Sequence, residues 1–233
     1  KPSEKTPAVG AMLIDYFRKA GIPDGVVNIV QGGPDTGKAL SGHAGLDGLL
    51  FTGSAQTGIA LNRQFASRPD KILALEMGGN NPIIVWDTHD LHSAAVLVVQ
   101  SAFLSAGQRC TAARRLIIKQ DLYDLFIPEL KRLVDRLVID EPHAEVPPFM
   151  GPVISNDHAL AHLKAQEKLI QSGGKALLPM TWLNDKSGLL SPGLIDMTRV
   201  SNPADEEIFA PLVQIYRYHD FDEALFLANQ TRY

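Results

Sequence analysis

A single cysteine in 233 residues, Cys110, cannot close an internal disulfide, which points to a reducing compartment, the cytoplasm. No apolar run approaches the roughly 18 residues of a membrane span and no secretory signal pattern is seen, so no membrane partner is expected. Excess charge of one sign is missing too. Lys and Arg number 22 against 26 Asp and Glu, a net charge of −4, and the basic residues are scattered, which argues against a nucleic-acid partner. Neither internal repeats nor low-complexity segments occur. What remains is ordinary for a globular protein: 45% apolar and 21% charged residues, enough chain for one large domain or two small ones with a real core.

Lys1-Pro2-Ser3-Glu4 lacks an initiator Met and leads at once into a helical pattern, and the chain stops just after another, so a piece of a longer polypeptide is expected. Thr6 as N-cap and Pro7 at the first position open a helix running to Ala20, with Gly21 as its stop and Val9, Met12, Leu13, Tyr16 and Ala20 as a buried stripe. Val26–Val30 reads as a strand, Gln31–Lys38 as a turn into a short helix, and Leu46–Phe51 as a second strand. A glycine turn from Thr52 to Gly58, a helix from Ile59 to Ala66 and a third strand at Ile72–Leu75 complete a βαβαβ rhythm, the frame of parallel nucleotide-binding folds. Glu76–Pro82 breaks that rhythm and suggests a boundary, with one domain over 1–78 and another over 79–233. Past it the pattern predicts a strand at Ile83–Trp86, a helix from Leu91 to Ser105, a strand at Arg115–Lys119, and a helix from Leu122 to Leu137 that Pro128 bends or starts. A Pro-rich loop from Glu141 to Pro152 precedes a helix capped by Asn156 or Asp157 and ending at Gln171. Strands near Lys175–Leu178, Leu189–Ile195 and Val213–Tyr218 follow, and Asp222 caps the last helix.

Cys110 lies in Gly107-Gln108-Arg109-Cys110, between a helix and a strand, where unpaired backbone N–H groups favour a thiolate and can stabilise an oxyanion. Spacing alone leaves a reactive and a buried structural cysteine both open. Gly32-x-x-x-x-Gly37-Lys38 imitates a P-loop, but Ala39 stands where such a loop needs a hydroxyl for Mg²⁺, so a phosphate-hydrolysing module is the lesser reading. Gly53-Ser54-Ala55-Gln56-Thr57-Gly58 joins a strand to a helix whose N-terminus can meet a phosphate, or it is a plain structural turn. Glu76 ends an apolar strand; it is a general base, or an ordinary partnered carboxylate at a domain seam. His89/His92 and His158/His162 have helical spacing but no further ligands nearby and read as surface residues, and no metal is expected. By spacing, Phe209 and Phe221 read as core.

With these residues in view, the chain resembles the NAD(P)-dependent aldehyde dehydrogenase superfamily along its whole length. Lys1-Pro2-Ser3-Glu4, Phe51-Thr52-Gly53-Ser54 through Gly58, Leu75-Glu76-Met77-Gly78-Gly79, Gly107-Gln108-Arg109-Cys110 and Glu206-Glu207-Ile208-Phe209-Ala210-Pro211 match its landmarks in order. The resemblance implies an α/β fold, part of a Rossmann-like dinucleotide-binding domain followed by an α/β catalytic domain incomplete at its C-terminus. It also implies Cys110 as nucleophile and Glu76 as the base that activates the hydrolytic water. Lys1 and Glu4 would bind the adenosine ribose, and Gly53, Ser54, Ala55, Gln56, Thr57 and Gly58 would line the pyrophosphate or adenine side. Glu207 and Phe209 would hold the nicotinamide ribose and ring. A Glu beside the ribose would repel a 2′-phosphate, which favours NAD over NADP. The family's upstream oxyanion-hole Asn and its closing oligomerisation segments are not among these residues, and the full-length protein is expected to be a homo-oligomer.

Asn80 replaces the Lys common in that segment, and Ala113-Arg114-Arg115 replaces commoner small or polar residues. These departures point to members that oxidise an anionic semialdehyde. Arg109, Arg114 or Arg115 would then supply a cationic receptor, although an arginine on a strand is more often a solvated or structural ion-pair partner.

Overall fold

The computed structural model describes residues 1–233, in two units that divide between Met77 and Gly78. In the first unit, α1 (Pro7–Lys19) begins with Pro at its first turn and ends before Gly21, whose φ of +81° is the left-handed stop that only glycine adopts without strain. Thr6 occupies the N-cap position, but its side chain makes no capping bond. No residue of α1 is buried, and Val9, Met12, Leu13 and Tyr16, expected as a buried stripe, face solvent. α2 (Pro34–Gly42) precedes β1 (Gly48–Gly53), α3 (Ala55–Phe65) and β2 (Ile72–Met77), and β1 and β2 pair in parallel from Gly48/Ile72 to Gly53/Met77. The strand expected at Val26–Val30 does not form. This sheet has only two strands, β1 and β2, so residues 26–30 have no neighbour with which to exchange ladder bonds. α2 starts at Pro34, inside the P-loop-like motif, and places Gly37 and Lys38 on a helix with Lys38 Nζ 3.5 Å from Asp35 Oδ1. A phosphate-cradling loop is therefore absent there.

The second unit is built on a five-stranded sheet in the order β3 (Pro82–Val85), β4 (Arg115–Lys119), β9 (Leu212–Tyr218), β8 (Gly193–Asp196) and β5 (Lys175–Leu178). All neighbours are parallel except β8/β5. Alternate residues of β4 serve the two faces. Leu116 and Ile118 join the main core with α4 (Leu91–Phe103), α5 (Gln120–Val134) and α6 (Asn156–Gln171), while Ile117 packs with Tyr218 and Ala224 of α7 (Phe221–Asn229). Helices on both faces explain why β4 is one unbroken apolar run between its charged ends.

Several boundaries differ from the sequence reading for local reasons. Ser155, not Asn156 or Asp157, caps α6 by accepting the His158 N–H, and Asp220, not Asp222, caps α7 by accepting that of Glu223. Leu189–Ile195 is two strands, β7 (Leu189–Leu190) and β8, because Pro192 lacks the N–H to continue a ladder, and β7 pairs with an unforeseen β6 (Trp182–Asn184). Pro128 lies inside α5, whose start is Gln120. No helix is long and apolar enough to cross a membrane.

Candidate active site

α4 ends at Phe103 and passes into a tight turn, Leu104–Gly107, in which Ser105 and Ala106 hold φ of 57° and 54° and Gly107 holds 68°. Left-handed backbone costs a side-chain-bearing residue on the order of 1 kcal/mol or more, so two in succession persist only because the surroundings hold them. Gly107 has no alternative: besides its positive φ, a Cβ there would collide with the carbonyl of Ala210. The turn delivers Cys110 to the surface as an exposed thiol, which removes the buried structural reading. Gln108 fixes the approach, accepting the Ile154 N–H at 2.9 Å, and Asn81 Nδ2 fixes the exit by donating to the carbonyls of Cys110 at 2.6 Å and Ala112 at 3.1 Å. The Arg109, Cys110 and Thr111 amides donate to no backbone or side-chain acceptor.

Opposite this turn, Glu207 Oε1 accepts from the Gly79 N–H at 3.1 Å and from Arg114 Nη2 at 2.9 Å. Gly78 leaves room for this approach, because a Cβ would overlap the Glu207 carboxylate as it lies here. Arg114 is almost fully buried. Its guanidinium also donates to the carbonyls of Gly79, Gly107 and Arg109 at 3.0, 3.0 and 2.9 Å, and it lies 4.8 Å from the centre of the Phe209 ring. Burial pulls the Arg114 pKa down, while the Glu207 hydrogen bond and charge pull it back up. Arg115, next along the strand, points the other way and donates to the carbonyls of Asn80, Leu227 and Ala228, which caps the C-terminus of α7. Neither arginine has a face left for a substrate; both are structural partners. Arg109 alone of the three is exposed, with no side-chain hydrogen bond or ion pair.

The loop carrying Glu207 is also tied at its start. Asp205 accepts from Asn80 Nδ2, Thr231 Oγ1 and the Arg232 N–H at 3.0, 2.8 and 2.7 Å. Burial raises the Asp205 pKa, but these three bonds outweigh it and hold the carboxyl below its usual range. Phe209, which spacing had assigned to the core, is exposed, as is Phe221, which packs edge-on against Trp86. The reading of His162 as a surface residue also fails: it is buried on α6, and burial with the nearby charges of His158 and Arg114 lowers its pKa to about 4.

In the first unit, Lys1 Nζ lies 3.9 Å from Glu4 Oε2. Ser54 is the N-cap of α3, its Oγ accepting the Thr57 N–H at 3.3 Å and meeting Thr57 Oγ1 at 3.0 Å, so Gly53, Ala55, Gln56 and Gly58 are set around a helix N-terminus. Gly58 is buried against Met77, where a side chain would collide with the thioether. Glu76 pairs with Thr52 in the β1/β2 register and is exposed at the end of its apolar strand. The structure thus gathers Cys110, Glu207 and Phe209 in the second unit around one guanidinium. Lys1 and Glu4, the 53–58 turn and Glu76 belong to the first. Sequence reasoning missed Asn81 and the central place of Arg114; the available signal was two adjacent arginines leading into the apolar run Leu116–Ile118, where buried charge demands partners.

The aldehyde dehydrogenase family model matches residues 1–233. The chain is 54% identical over 233 residues to N-succinylglutamate 5-semialdehyde dehydrogenase of Sphingopyxis alaskensis, covering all of this chain and 48% of that protein. It is 52% identical to the enzyme of the same name from Chromobacterium violaceum, again with 48% of that protein covered. Among solved structures it is similar to gamma-glutamyl-gamma-aminobutyraldehyde dehydrogenase from Burkholderia cenocepacia, with a TM-score of 0.92, 31% identity, and coverage of 100% of this chain and 47% of that one. It is also similar to 1-pyrroline-5-carboxylate dehydrogenase from Thermus with bound NAD, with a TM-score of 0.88, 32% identity, and coverage of 97% and 45%. The chain spans about half the length of the curated relatives it matches.

Proposed function

The chain belongs to the aldehyde dehydrogenase family, and from that premise we propose that the full-length protein oxidises N-succinylglutamate 5-semialdehyde to N-succinylglutamate with NAD. One observation carries the chemistry: the only thiol is exposed at a strained turn, beside backbone amides without acceptors, and the turn is fastened to Glu207. In this reading Cys110 Sγ adds to the aldehyde carbon, forming a thiohemiacetal whose oxyanion meets free loop amides. NAD, when bound, supplies the hydride acceptor that converts the adduct to a thioester. Glu76 accepts a proton from water as that water attacks the thioester, and the Cys110 thiolate leaves.

The residues fit the cofactor. Gly78 leaves room for Glu207, whose second carboxylate oxygen makes no hydrogen bond within the protein and is free for a ribose hydroxyl, and Phe209 offers an exposed ring to a nicotinamide. Lys1, Glu4 and the turn of Gly53, Ser54, Ala55, Gln56, Thr57 and Gly58 serve the adenosine and pyrophosphate, and Glu4 favours NAD over NADP. The anionic substrate is supported by the relatives' names and by Arg109, an exposed cation with no internal partner beside the nucleophile. The full-length protein is taken to be cytoplasmic and homo-oligomeric.

The test follows NADH absorbance for the full-length protein with N-succinylglutamate semialdehyde, succinate semialdehyde and a neutral aldehyde, for wild type and Cys110→Ala. The first substrate should be preferred, and Cys110→Ala should lose activity by about a thousandfold or more. An active Cys110→Ala variant defeats the mechanism. Preference for another aldehyde removes only the substrate assignment and leaves another aldehyde dehydrogenase of the same chemistry.

A further inference from the structure

We propose that Arg114 is a positioning residue that couples the nucleophile turn to the cofactor-holding carboxylate, so that cofactor affinity and the setting of Cys110 depend on one buried guanidinium. The inference rests on the reading of Cys110 and Glu207 above but extends to a residue with no part in the chemistry. A guanidinium carries five N–H donors in a rigid fork. In Arg114 these bond three carbonyls and one carboxylate from three separate stretches of chain: Gly79, the turn at Gly107 and Arg109, and Glu207. The two carbonyls of the turn lie on the approach to Cys110. That of Gly107 ends the left-handed run Ser105–Gly107 and that of Arg109 immediately precedes Cys110, so the guanidinium opposes relaxation of the strained backbone next to the thiol.

On the other side, the same group and the Gly79 N–H both bond Oε1 of Glu207, which leaves Oε2, lying over Gly78, as the acceptor without a partner in the protein. The guanidinium also lies 4.8 Å from the centre of the Phe209 ring, a cation–π contact that ties this side chain to the same group. Lysine cannot reproduce this set. Its single ammonium can reach one or two of the four acceptors, which lie in different directions. A substrate-binding role for Arg114 is disfavoured by the same geometry, since the side chain is 2% exposed and four of its five N–H donors are held by internal acceptors.

The experiment uses the full-length protein with Arg114→Met, Arg114→Lys, Glu207→Gln and the Arg114→Met/Glu207→Gln double variant. NAD dissociation constants are measured by titration, the rate of Cys110 alkylation by iodoacetamide is measured with and without NAD, and thermal unfolding is recorded for each variant. Arg114→Met should weaken NAD by about tenfold or more and change the alkylation rate of the free enzyme. Adding it to Glu207→Gln should weaken NAD little further, because both act through one contact. Arg114→Lys should recover part of the NAD affinity but not the wild-type alkylation rate, which a merely structural cation would restore. If Arg114→Met is folded yet binds NAD and reacts with iodoacetamide as wild type does, the proposal is overturned; if it does not fold, the same equality in Arg114→Lys overturns it. NAD binding and alkylation require no aldehyde, so a wrong substrate assignment leaves this test intact. A wild type that does not bind NAD would instead refute the functional reading itself.

Discussion

The two units bury apolar surface very differently. Gly78–Tyr233 has a continuous core in which Phe103, Leu116, Phe126 and Leu130 are wholly inaccessible, whereas Lys1–Met77 buries one large hydrophobic side chain, Phe65. Yet α1 is as clearly amphipathic as helices of the second unit, and β1 and β2 are as regular a parallel pair as any in the larger sheet. Amphipathic pattern therefore marks a surface suited to burial, and whether burial happens depends on what lies opposite. Leu50 on β1 and Ile72 on β2 are 82% and 70% exposed, while Leu116 and Ile118 on β4 are 0% exposed. The second unit has helices on both faces of its sheet; the first has two strands and no third neighbour.

The sharpest way to break this comparison is a pair of truncations in the 233-residue chain. Phe126→Ala should cost about 3–5 kcal/mol by chemical denaturation, since it removes a fully buried ring, and Leu13→Ala no more than about 0.5 kcal/mol. Comparable costs would show that the α1 face is covered in solution. Repeating Leu13→Ala in the full-length protein sharpens the point, because a cost rising toward that of a core residue would identify the face as one that further chain covers.

A pH series is expected to single out the second unit by a smaller amount. Burial, with the nearby charges of His158 and Arg114, lowers the pKa of His162 from the ordinary 6.5 to about 4, so the unfolded chain binds more protons in that interval. Stability is then intact above pH 6.5 and declines by up to about 3 kcal/mol as pH falls toward 4. Asp196, whose carboxyl is held below its ordinary 3.8 by Thr198, Tyr123 and Arg217 against the opposing effect of burial, loses its contribution only at lower pH, so the two effects separate. His162→Gln should flatten the 6.5 to 4 interval in urea unfolding curves; an unchanged slope would assign the loss to other groups. An effect smaller than that of the titration should come from the helix caps. Asp90→Ala in the second unit and Ser54→Ala in the first should each cost about 1 kcal/mol, since each side chain accepts one otherwise unpaired amide. A much smaller effect for Ser54 would mean that α3 contributes little to cooperative unfolding.

Much of the fold was legible because it is written in short windows. The strand Arg115–Lys119 and the helix ending at Gln171 follow from periodicity and glycine placement. Caps sit one or two residues earlier than the sequence pattern suggests: Ser155, not Asn156 or Asp157, caps α6, and Asp220, not Asp222, caps α7, because those side chains accept the amide three residues onward. The strand misread at Val26–Val30 shows the limit. β-branched residues favour extended backbone, but a strand exists only through bonds to a neighbour that its own sequence does not contain.

The sequence by itself determined the family, through one thiol at a helix-to-strand junction, a glutamate after an apolar strand, and glycine turns, in an order that belongs to it. It also determined most element positions, because propensity, capping and periodicity act between residues a few places apart. Only the tertiary structure decided that Cys110 is exposed and His162 buried, that the α1 stripe faces solvent, and that of three arginines Arg114 and Arg115 are consumed internally while Arg109 is free. Arg114 and Glu207 stand 93 positions apart. Burial and hydrogen-bond partnership are set across such separations by how elements pack, and no window of neighbouring residues contains that information.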